Sequence, residues 1–552
     1  MKISNRSIIN LSLFFCLAVL PGIGEGAFAQ SFLHAEGQNM VDENGNKVLL
    51  RGVGLGNWML PEGYMWKFGE HGDRPRRIEK IVDDFIGPEK AEQFWKAYRR
   101  NYITEADIKR IAELGYNSVR PALNSRLFIT RKGEFVSEGF ELLDSLVSRC
   151  KKYHLYVIID MHGAPGGQTG QNIDDSAGDE PELFMEPKNE DLLIKLWVKI
   201  AERYKDEPAI AAYDLLNEPL PERTGAAAKY KDQLVPLYQK LIRAIREVDQ
   251  KHMFTLEGYN WANNWSLFNK PPDSNMFFQF HYYCWDHPDN LNDISYFLKK
   301  RDQLNTPVWV GETGEKDNAI YFATTQYFEK NNIGWSFWPW KKMDTRNTPY
   351  SIKPPEGWDQ IITYSKTGEN PQADNPERIF NELLKNIKLE NCTFFPDVVN
   401  AMFRRVPLKI EAENYGPDGY RKSYFVKDTL TMAISYRKQE PVKITVLENN
   451  RKEQGQAIEL SADEWTAYQF SSPARDKYGL SLRIKALQQP AVIRVQTDGK
   501  STELKIPETD WTTRVLKPQI FRKGLHEIKI MVKSGSIQLD WINSYKIKVI
   551  SH

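Results

Sequence analysis

The run Ala212-Tyr213-Asp214-Leu215-Leu216-Asn217-Glu218-Pro219 is apolar and stops at an Asn-Glu pair followed by a proline. In a parallel α/β barrel the loops after the strands form the open face, so a strand that ends in a carboxylate places a reactive group there. A second run, Val308-Trp309-Val310-Gly311-Glu312-Thr313-Gly314, has the same design. A lone glutamate after an apolar run is more often a capping or solvated residue, so the inference depends on both runs together.

Two carboxylates that reach one cleft from two strand ends can cleave a glycosidic bond. One group then acts as the proton donor and the other as the nucleophile or base. We therefore predict that Glu218 and Glu312 are a catalytic pair. The neighbouring residues fit this prediction, because Asn217 can offer an amide to a sugar hydroxyl and Gly311 lets the backbone approach a ligand.

Eight short apolar runs alternate with stretches of helical period along the first two thirds of the chain. The runs are Val48 to Gly54, Ser118 to Leu123, Tyr156 to His162, Ala212 to Glu218, Met253 to Gly258, Phe277 to Tyr283, Val308 to Glu312 and Gly334 to Trp340. This alternation implies parallel strands with right-handed crossovers. We predict an α/β fold, a closed (β/α)₈ barrel over residues 30–390, although an open sheet would give the same pattern.

Two segments flank the first predicted strand. Gln38 to Arg51 predicts a hairpin that could plug the lower mouth of the barrel. Residues 62–100 are longer than a barrel loop requires. They include the aromatic side chains of Tyr64, Trp66, Phe68, Phe94, Trp95 and Tyr98. This insertion is either a wall over the cleft or a solvated helical excursion.

A length of 552 residues favours two domains. With 74 Lys and Arg against 73 Asp and Glu, the chain lacks the basic excess of a nucleic-acid-binding protein. After Lys388 the pattern changes to short alternating runs separated by turn signals such as Asp498-Gly499. We assign residues 391–407 to a linker and residues 408–552 to an all-β sandwich of the jelly-roll kind.

The first 29 residues have the pattern of a signal peptide. Lys2 and Arg6 precede an apolar run from Ile8 to Leu20, and Ala27-Phe28-Ala29 predicts cleavage before Gln30. We therefore expect a secreted or periplasmic protein. No later segment approaches the roughly 20 apolar residues of a membrane span. We also expect the protein to be a monomer. Three cysteines remain, an odd count without metal-like spacing: Cys150, Cys284 and Cys392.

The strand ends of the first domain strongly resemble those of glycoside hydrolase family 5, over roughly Val48 to Ile387. The matching positions are Arg120, His162, Asn217, Glu218, His281, Tyr283, Glu312 and Trp338. The resemblance implies that Glu218 is the acid/base and Glu312 the nucleophile. It implies that the other six residues bind substrate, with Trp340 as an alternative to Trp338 for the aromatic floor of the sugar site. No catalytic metal or cofactor is implied.

Within that family, two motifs are similar to the branch of exo-β-1,3-glucanases: Arg51 to Trp58 and His162 to Gln168. The loop from Thr169 to Gly178, with its own Asn172, Asp174 and Asp175, departs from the pattern. The resemblance thus predicts a retaining hydrolase of a β-1,3- or β-1,4-linked glucan, and exo and endo action both remain open. A glycosidase on another β-glycoside, such as mannan or a glycolipid headgroup, and a non-catalytic glycan-binding protein are the alternatives.

The tail resembles a carbohydrate-binding module of the family 6 or 35 kind. Its matching segments are Ile410 to Tyr415, Trp465 with Tyr468, Gly524 to His526 and Leu539 to Ile542. The resemblance implies a structural calcium ion at Glu411, Glu413 and Asp540, whose hard oxygen ligands suit that ion.

The stretch between Phe425 and Gln456 departs from this pattern, so the tail either binds sugar or only braces the barrel. Tyr420 and Trp511 lie in apparent loops where a sugar could stack, although core packing would suit both side chains as well.

Overall fold

The computed structural model describes residues 30–284, 291, 293–369, 371–433, 437–447, 455–487 and 489–547. The predicted signal peptide, residues 1–29, lies outside the described residues. None of the helices in the described ranges is long and apolar enough to cross a membrane.

The chain begins with a hairpin of β1 (His34–Glu36) and β2 (Asn39–Val41), which pair antiparallel. The hairpin predicted over Gln38 to Arg51 differs from it, because the two sides of the predicted turn are joined by an isolated bridge between Val41 and Lys47 rather than by two strands. Asp42 closes the following turn by accepting hydrogen bonds from the backbone of Asn44 and Asn46. Met40 packs in a buried cluster with Phe277 and Trp309, near the first residues of two barrel strands. The β1–β2 hairpin therefore covers the lower mouth of the barrel, the place that was expected for the predicted hairpin.

Eight parallel strands close into a barrel in the order β10-β3-β4-β5-β6-β7-β8-β9. They are β3 (Arg51–Leu55), β4 (Ser118–Asn124), β5 (Tyr156–Gly163), β6 (Ile210–Asp214), β7 (Met253–Glu257), β8 (Met276–Tyr282), β9 (Val308–Gly314) and β10 (Gly334–Trp338). Each lies within a predicted run or close to it, and the predicted (β/α)₈ barrel is confirmed. The largest difference concerns Glu218, which lies four residues beyond the end of β6 because the backbone turns sharply there.

Helices cover the outside of the barrel. They are α1 (Pro75–Ile86), α2 (Pro88–Tyr102), α3 (Glu105–Glu113), α4 (Ser137–Lys152), α5 (Pro187–Tyr204), α6 (Ala226–Arg246), α7 (Ser295–Leu304), α8 (Asn318–Lys330), α9 (Trp358–Thr367) and α10 (Pro376–Asn386). The α3 helix starts with a capping box between Thr104 and Asp107, which satisfies two free backbone N–H groups. Residues 258–275, between β7 and β8, are all described and contain no helix, so the alternation is interrupted once.

The insertion after β3, for which the sequence left open a cleft wall or a helical excursion, is mostly helical and reaches the cleft only at its start. Helices α1 and α2 bury one face each. Trp66 packs against Trp95, Tyr98 and Trp358 with ring centroids 5.2–5.9 Å apart. Most of its aromatic side chains thus form a core of their own, and only its first residues reach the cleft described below.

The C-terminal part is a sandwich of two antiparallel sheets, β16-β17-β24-β19-β22 with β14 beside β24, and β15-β18-β23-β20-β21. A small sheet of β11 (Lys341–Met343), β12 (Tyr350–Ile352) and β13 (Thr393–Phe394) and helix α11 (Pro396–Met402) precede it. The sandwich strands are β14 (Lys409–Glu411), β15 (Tyr424–Phe425), β16 (Lys443–Val446), β17 (Gln456–Ser461), β18 (Trp465–Ser472), β19 (Asp476–Ala486), β20 (Ala491–Thr497), β21 (Lys500–Ile506), β22 (Thr512–Phe521), β23 (Gly524–Ser534) and β24 (Ser536–Lys546). Alternate residues of these strands fill the space between the two sheets.

Barrel and sandwich share apolar and polar contacts along α8. Phe322 of α8 is 1% exposed and belongs to the core of the sandwich. Gln326 donates a hydrogen bond to the carbonyl of Tyr415 at 3.2 Å, and Lys330 forms a 2.7 Å ion pair with Asp418. The segment 391–407, assigned to a linker above, contains β13 and α11, and α11 packs against α8.

Candidate active site

The carboxyl ends of the barrel strands surround a cleft of about 560 Å³. Both predicted catalytic residues line it, Glu218 from the loop after β6 and Glu312 from the end of β9. One carboxylate oxygen of each lies within 4.8 Å of the other. The structure therefore brings together the two groups that the sequence pattern singled out.

Glu312 is held as an acceptor of hydrogen bonds. Its Oε1 accepts a 2.7 Å hydrogen bond from Nη1 of Arg120, and its Oε2 accepts a 2.8 Å hydrogen bond from the hydroxyl of Tyr283. Burial would raise the pKa of Glu312, but the charges of His281 and Arg120 outweigh burial and lower it. The carboxyl group of Glu312 is therefore ionised at neutral pH.

Arg120 is completely buried and connects several strand ends. It donates to Glu312, to Asp214 at 2.8 Å, to Asn217 at 2.8 Å and to Glu257 at 3.2 Å. A guanidinium has five N–H donors in a fixed planar arrangement, so it can satisfy several buried acceptors at once. These contacts fix the direction of Glu312 from behind.

Glu218 adopts a left-handed backbone conformation, with φ 45°. Side-chain-bearing residues do so only when their surroundings hold them there. Its N–H donates a 2.5 Å hydrogen bond to Oε2 of Glu257, and its Oε1 lies 2.6 Å from Nδ1 of His281. Burial raises the pKa of Glu218, and the negative charges of Glu312 and Glu257 add to this against the opposing effect of His281. A raised pKa favours the protonated acid.

His281 lies between the carboxylates. Its Nδ1 is 2.6 Å from Glu218 and 3.6 Å from Glu312, and its Nε2 is 3.3 Å from Glu257. Burial would lower the pKa of His281, but the charges of Glu312 and Glu257 raise it well above its usual range. Among the described residues, Glu218, His281 and Glu312 are also the one set of three potential ligands close enough to share a metal ion.

His162 and Trp338 form a flat wall of the cleft. Their rings are stacked with centroids 5.2 Å apart and planes 8° from parallel. Nδ1 of His162 lies 2.7 Å from Asp160. Burial alone would lower the pKa of His162, but the charge of Asp160 raises it to about 9. This pairing fixes the plane of the imidazole.

The indole of Trp338 rests directly on backbone. A Cβ atom at Gly54 would lie 2.2 Å from its ring, and one at Gly56 would lie 2.6 Å away. Gly54 in β3 and Gly56 just after it are therefore required by the close approach of the indole rather than by chain flexibility. Nε1 of Trp338 donates to the hydroxyl of Tyr64 at 3.0 Å. Trp340 instead donates to Asp107 and does not line the cleft, so of the two candidate tryptophans Trp338 is the one that reaches it.

The predicted substrate-binding residues fall into two groups. His162, His281, Tyr283 and Trp338 line the cleft. Arg120 and Asn217 are completely buried behind it, and Oδ1 of Asn217 accepts from Arg120. In this structure Arg120 and Asn217 thus position other side chains. Gly311 likewise faces Gln279 and His281, where any Cβ atom would clash, rather than the cleft.

Several residues of the site were not predicted. Asp160, Asp214 and Glu257 are buried around Arg120, each near the end of a barrel strand. The signal was available, because all three are carboxylates within or at the end of the predicted apolar runs. Two further carboxylates of the cleft wall are Glu62, with an unpartnered buried Oε1, and Glu315, paired with Lys342 at 2.6 Å. Nothing in the local sequence distinguishes these from ordinary loop charges.

The loop after β5 mixes cleft residues with residues that hold the loop itself. Asn172 lines the cleft. Asp174 is buried and accepts from the backbone N–H groups of Thr169 and Gly170. Asp175 pairs with Arg126. Of the three polar residues noted in this loop, the two aspartates are therefore structural.

The tail residues predicted to bind calcium have other partners. Glu411 pairs with Lys409 at 2.6 Å, and Asp540 pairs with Arg483. Glu413 is buried, and its Oε2 has no hydrogen-bond partner. Burial and the charges of Glu411 and Asp540 raise the pKa of Glu413 well above its usual range. A cation beside Glu413 would relieve this cost, and the oxygen donors of the three carboxylates suit calcium. Among the described residues, however, Glu411, Glu413 and Asp540 do not lie as close together as the three side chains of the cleft that could share an ion.

The two tail aromatics proposed for sugar stacking differ in exposure. Tyr420 is 38% exposed and contacts Phe425 with centroids 5.6 Å apart. Trp511 is partly buried, with the guanidinium of Arg483 4.9 Å and the ammonium of Lys485 5.1 Å from its ring. Neither side chain is a core residue of the sandwich.

Residues 84–344 match the model of a protein family described as Cellulase (glycosyl hydrolase family 5). The matched segment contains seven of the eight barrel strands and both Glu218 and Glu312.

Three curated proteins show the range of relatives. A protein named Beta-xylosidase from Phanerodontia chrysosporium is 29% identical over 364 residues, which are 58% of this chain and 74% of the relative. "Probable glucan 1,3-beta-glucosidase A" from Emericella nidulans is 28% identical over 300 residues, or 52% of this chain and 71% of the relative. Endoglucanase C from Acetivibrio thermocellus is 30% identical over 194 residues, or 34% of this chain and 53% of the relative.

Proposed function

Because the barrel of this chain is a glycosyl hydrolase family 5 domain and the chain is a glycosyl hydrolase, we propose that it is a secreted or periplasmic retaining enzyme. Its substrate is a β-glucan with β-1,3 or β-1,4 linkages. Glu312 is the nucleophile, and Glu218 is the acid/base.

One observation carries the proposal, namely the separation of Glu218 and Glu312 together with their opposite pKa shifts. Retaining glycosidases hold their two carboxyl groups about 5–5.5 Å apart, whereas inverting enzymes leave about 6.5–9.5 Å for a water molecule. The distance of at most 4.8 Å between carboxylate oxygens supports the retaining geometry. The lowered pKa of Glu312 suits a nucleophile, and the raised pKa of Glu218 suits an acid.

The first step transfers the sugar to the enzyme. Ionised Glu312 attacks the anomeric carbon, the glycosidic bond breaks, and Glu218 gives its proton to the leaving oxygen. His281, positively charged beside both carboxylates, stabilises the negative charge that Glu218 acquires. Arg120 and Tyr283 keep Glu312 aimed and unprotonated until it reacts.

The second step releases the sugar. The ester bond removes the negative charge of Glu312, and the loss of that charge lowers the pKa of Glu218. Glu218 is then a base that takes a proton from water as the water attacks the anomeric carbon. Two inversions leave the product in the β configuration.

The choice of a glucan comes from two sources. The sequence around Arg51 to Trp58 resembles exo-β-1,3-glucanases, and the names of two relatives specify a glucosidase and an endoglucanase. In the sandwich, we propose a carbohydrate-binding module that carries a calcium ion at Glu411, Glu413 and Asp540. The buried, unpartnered Oε2 of Glu413 supports the ion.

A substrate panel tests the proposal. The full chain is incubated with β-1,3-, β-1,4- and mixed-linkage glucans, mannan and aryl β-glucosides, and the size and anomeric form of the first product are recorded. We expect cleavage of a glucan with a β product. Glu312→Gln, which keeps the shape of the side chain, should lower kcat on the order of 10³-fold or more with unchanged melting temperature. Cleavage of mannan alone, an α product, or an active Glu312→Gln variant would contradict the proposal.

A further inference from the structure

Gln168 is a buried side chain beside the catalytic residues that the mechanism above does not use. It lies in the loop after β5, is completely buried and does not line the cleft. Its Nε2 donates to the carbonyl of His162 at 2.7 Å and to the carbonyl of Asn217 at 2.8 Å. Its Oε1 accepts from the N–H of Ala164 at 3.2 Å. Both donors of the amide therefore bind backbone, one at the end of β5 and one after β6.

Two glycines bring Gln168 to this place. Gly166 and Gly167 have φ values of 81° and 77°, in the left-handed region that glycine adopts without a steric cost. The N–H of Gly167 donates to the carbonyl of Ala164 at 2.9 Å, which closes the turn. A Cβ atom at Gly166 would also lie 2.2 Å from Nδ2 of Asn189. The chain after β5 can therefore fold back so that the side chain of Gln168 lies between two strand ends.

The peptide unit that joins Asn217 to Glu218 is held at both of its polar atoms. Its carbonyl oxygen accepts from Gln168 at 2.8 Å, and its N–H donates to Oε2 of Glu257 at 2.5 Å. Because a peptide unit is planar, two hydrogen bonds in opposite directions fix its orientation. That orientation determines where the Cα atom and the side chain of Glu218 begin.

The backbone of Gln168 holds the other side of the same turn. Its carbonyl accepts from the N–H of Leu220 at 3.3 Å. Glu218 and Leu220 both have left-handed backbones, with φ values of 45° and 51°. Residues with side chains keep this conformation only when their surroundings impose it. Gln168 thus contacts the main chain on both sides of Glu218.

We propose that Gln168 is a positioning residue for the acid/base Glu218. Its amide keeps the Asn217–Glu218 peptide unit in the orientation that brings the carboxyl group of Glu218 close to Glu312 in the cleft. A displacement of about 1 Å in a catalytic group can cost about 100-fold in rate. The inference rests on the proposed function and adds a residue outside the cleft on which proton transfer to the leaving group depends.

The test compares two substrates that share one glycosyl group and differ in the leaving group. One is the best oligosaccharide from the panel, whose leaving sugar needs a proton from Glu218. The other is the corresponding dinitrophenyl β-glycoside, whose leaving group departs without a proton. Gln168→Met keeps the length of the side chain but has no donor. In the full chain it should lower kcat/KM for the oligosaccharide at least about tenfold more than for the dinitrophenyl glycoside.

Two further variants keep the test interpretable. Gln168→Asn has an amide that is one carbon shorter, so it should change the ratio of the two kcat/KM values in the same direction and replaces Gln168→Met if that variant does not fold. Gln326→Met is the matched control, because Gln326 on α8 also donates to a backbone carbonyl, that of Tyr415, and does not line the cleft. It should leave the ratio unchanged even if it lowers the melting temperature.

Equal losses on both substrates, or no loss on either, would overturn the inference. If the parent chain cleaves no member of the panel, the proposed function fails but the position of Glu218 can still be measured. Crystal structures of the parent and of a Gln168 variant should then show that the carboxyl group of Glu218 has moved relative to Glu312. An unmoved carboxyl group would overturn the inference in that case.

Discussion

The backbone N–H of Glu218 donates a 2.5 Å hydrogen bond to Oε2 of Glu257. A buried carboxylate thus holds the strained turn that carries the acid/base residue, and its negative charge contributes to the raised pKa of Glu218. Glu257 does not line the cleft. Its effect on the reaction is therefore indirect, through the position and the pKa of Glu218.

We predict that Glu257→Gln moves the alkaline limb of the pH profile of kcat/KM to lower pH. That limb reports the loss of the proton from Glu218, and removal of a neighbouring negative charge stabilises the ionised form, so the pKa of Glu218 falls. Rates measured across the pH range with a soluble oligosaccharide provide the check. A profile lowered at every pH without a shift would assign Glu257 a purely structural role.

Glu218→Ala should affect the two steps of the reaction differently. Substrates with a good leaving group need little protonation, so the sugar is still transferred to Glu312, but water then lacks a base. Azide is a nucleophile that needs no base, and we expect it to restore turnover of an aryl β-glucoside and yield a β-glycosyl azide. Product analysis by NMR distinguishes this result from an α-azide, which would contradict the retaining mechanism.

Arg120→Met should destabilise the barrel strongly. The substitution leaves Asp214, Glu257 and Glu312 buried without their shared cation, and breaking a buried pair in this way costs about 3–5 kcal/mol. Urea unfolding measures the loss. Arg494→Met is the matched control, because the ion pair of Arg494 with Glu503 is exposed, and such pairs contribute only about 0.2–1 kcal/mol. Equal midpoints for the two variants would contradict the central role of Arg120.

Calcium should raise the melting temperature of the full chain, and a chelator should lower it. An ion that binds only the folded protein stabilises it by mass action, by about 2.7 kcal/mol at a hundredfold excess over Kd. Glu413→Gln should abolish the calcium response, because it removes the buried, unpartnered carboxylate. A calcium response that survives in this variant would place the ion elsewhere, and no response in the parent would remove the site.

The architecture could be predicted from sequence because strand ends leave a local signal. Apolar runs that alternate with helical stretches located all eight barrel strands, and two runs that end in a glutamate pointed to Glu218 and Glu312. His281 was assigned only through the resemblance to the family. The prediction of where β6 ends was wrong. The predicted run continued to Glu218, past the end of β6, because Leu215 and Leu216 in the turn before Glu218 are as apolar as the residues of the strand.

Other parts of the site depend on contacts between distant segments. Glu62 and Glu315 belong to loops after different strands, and only the closed barrel shows that both face one cleft. Trp261, in the loop after β7, also lines the cleft. The asparagines around it indicate a turn, but they do not show that the turn faces the same cleft as Glu62 and Glu315. The role of Arg120 also differs from the expectation of a direct sugar contact, since its burial is a property of the assembled strands.

Phe322 belongs to the barrel helix α8 but is buried in the core of the sandwich. Domains that are joined only by a tether can be recombined freely in evolution or in the laboratory. Here the outer surface of one catalytic-domain helix completes the interior of the second domain, so grafting either part onto a foreign partner would leave a hole in one and an exposed phenylalanine on the other. The two parts of this chain must therefore change together, and a transplant should carry α8 along with the sandwich.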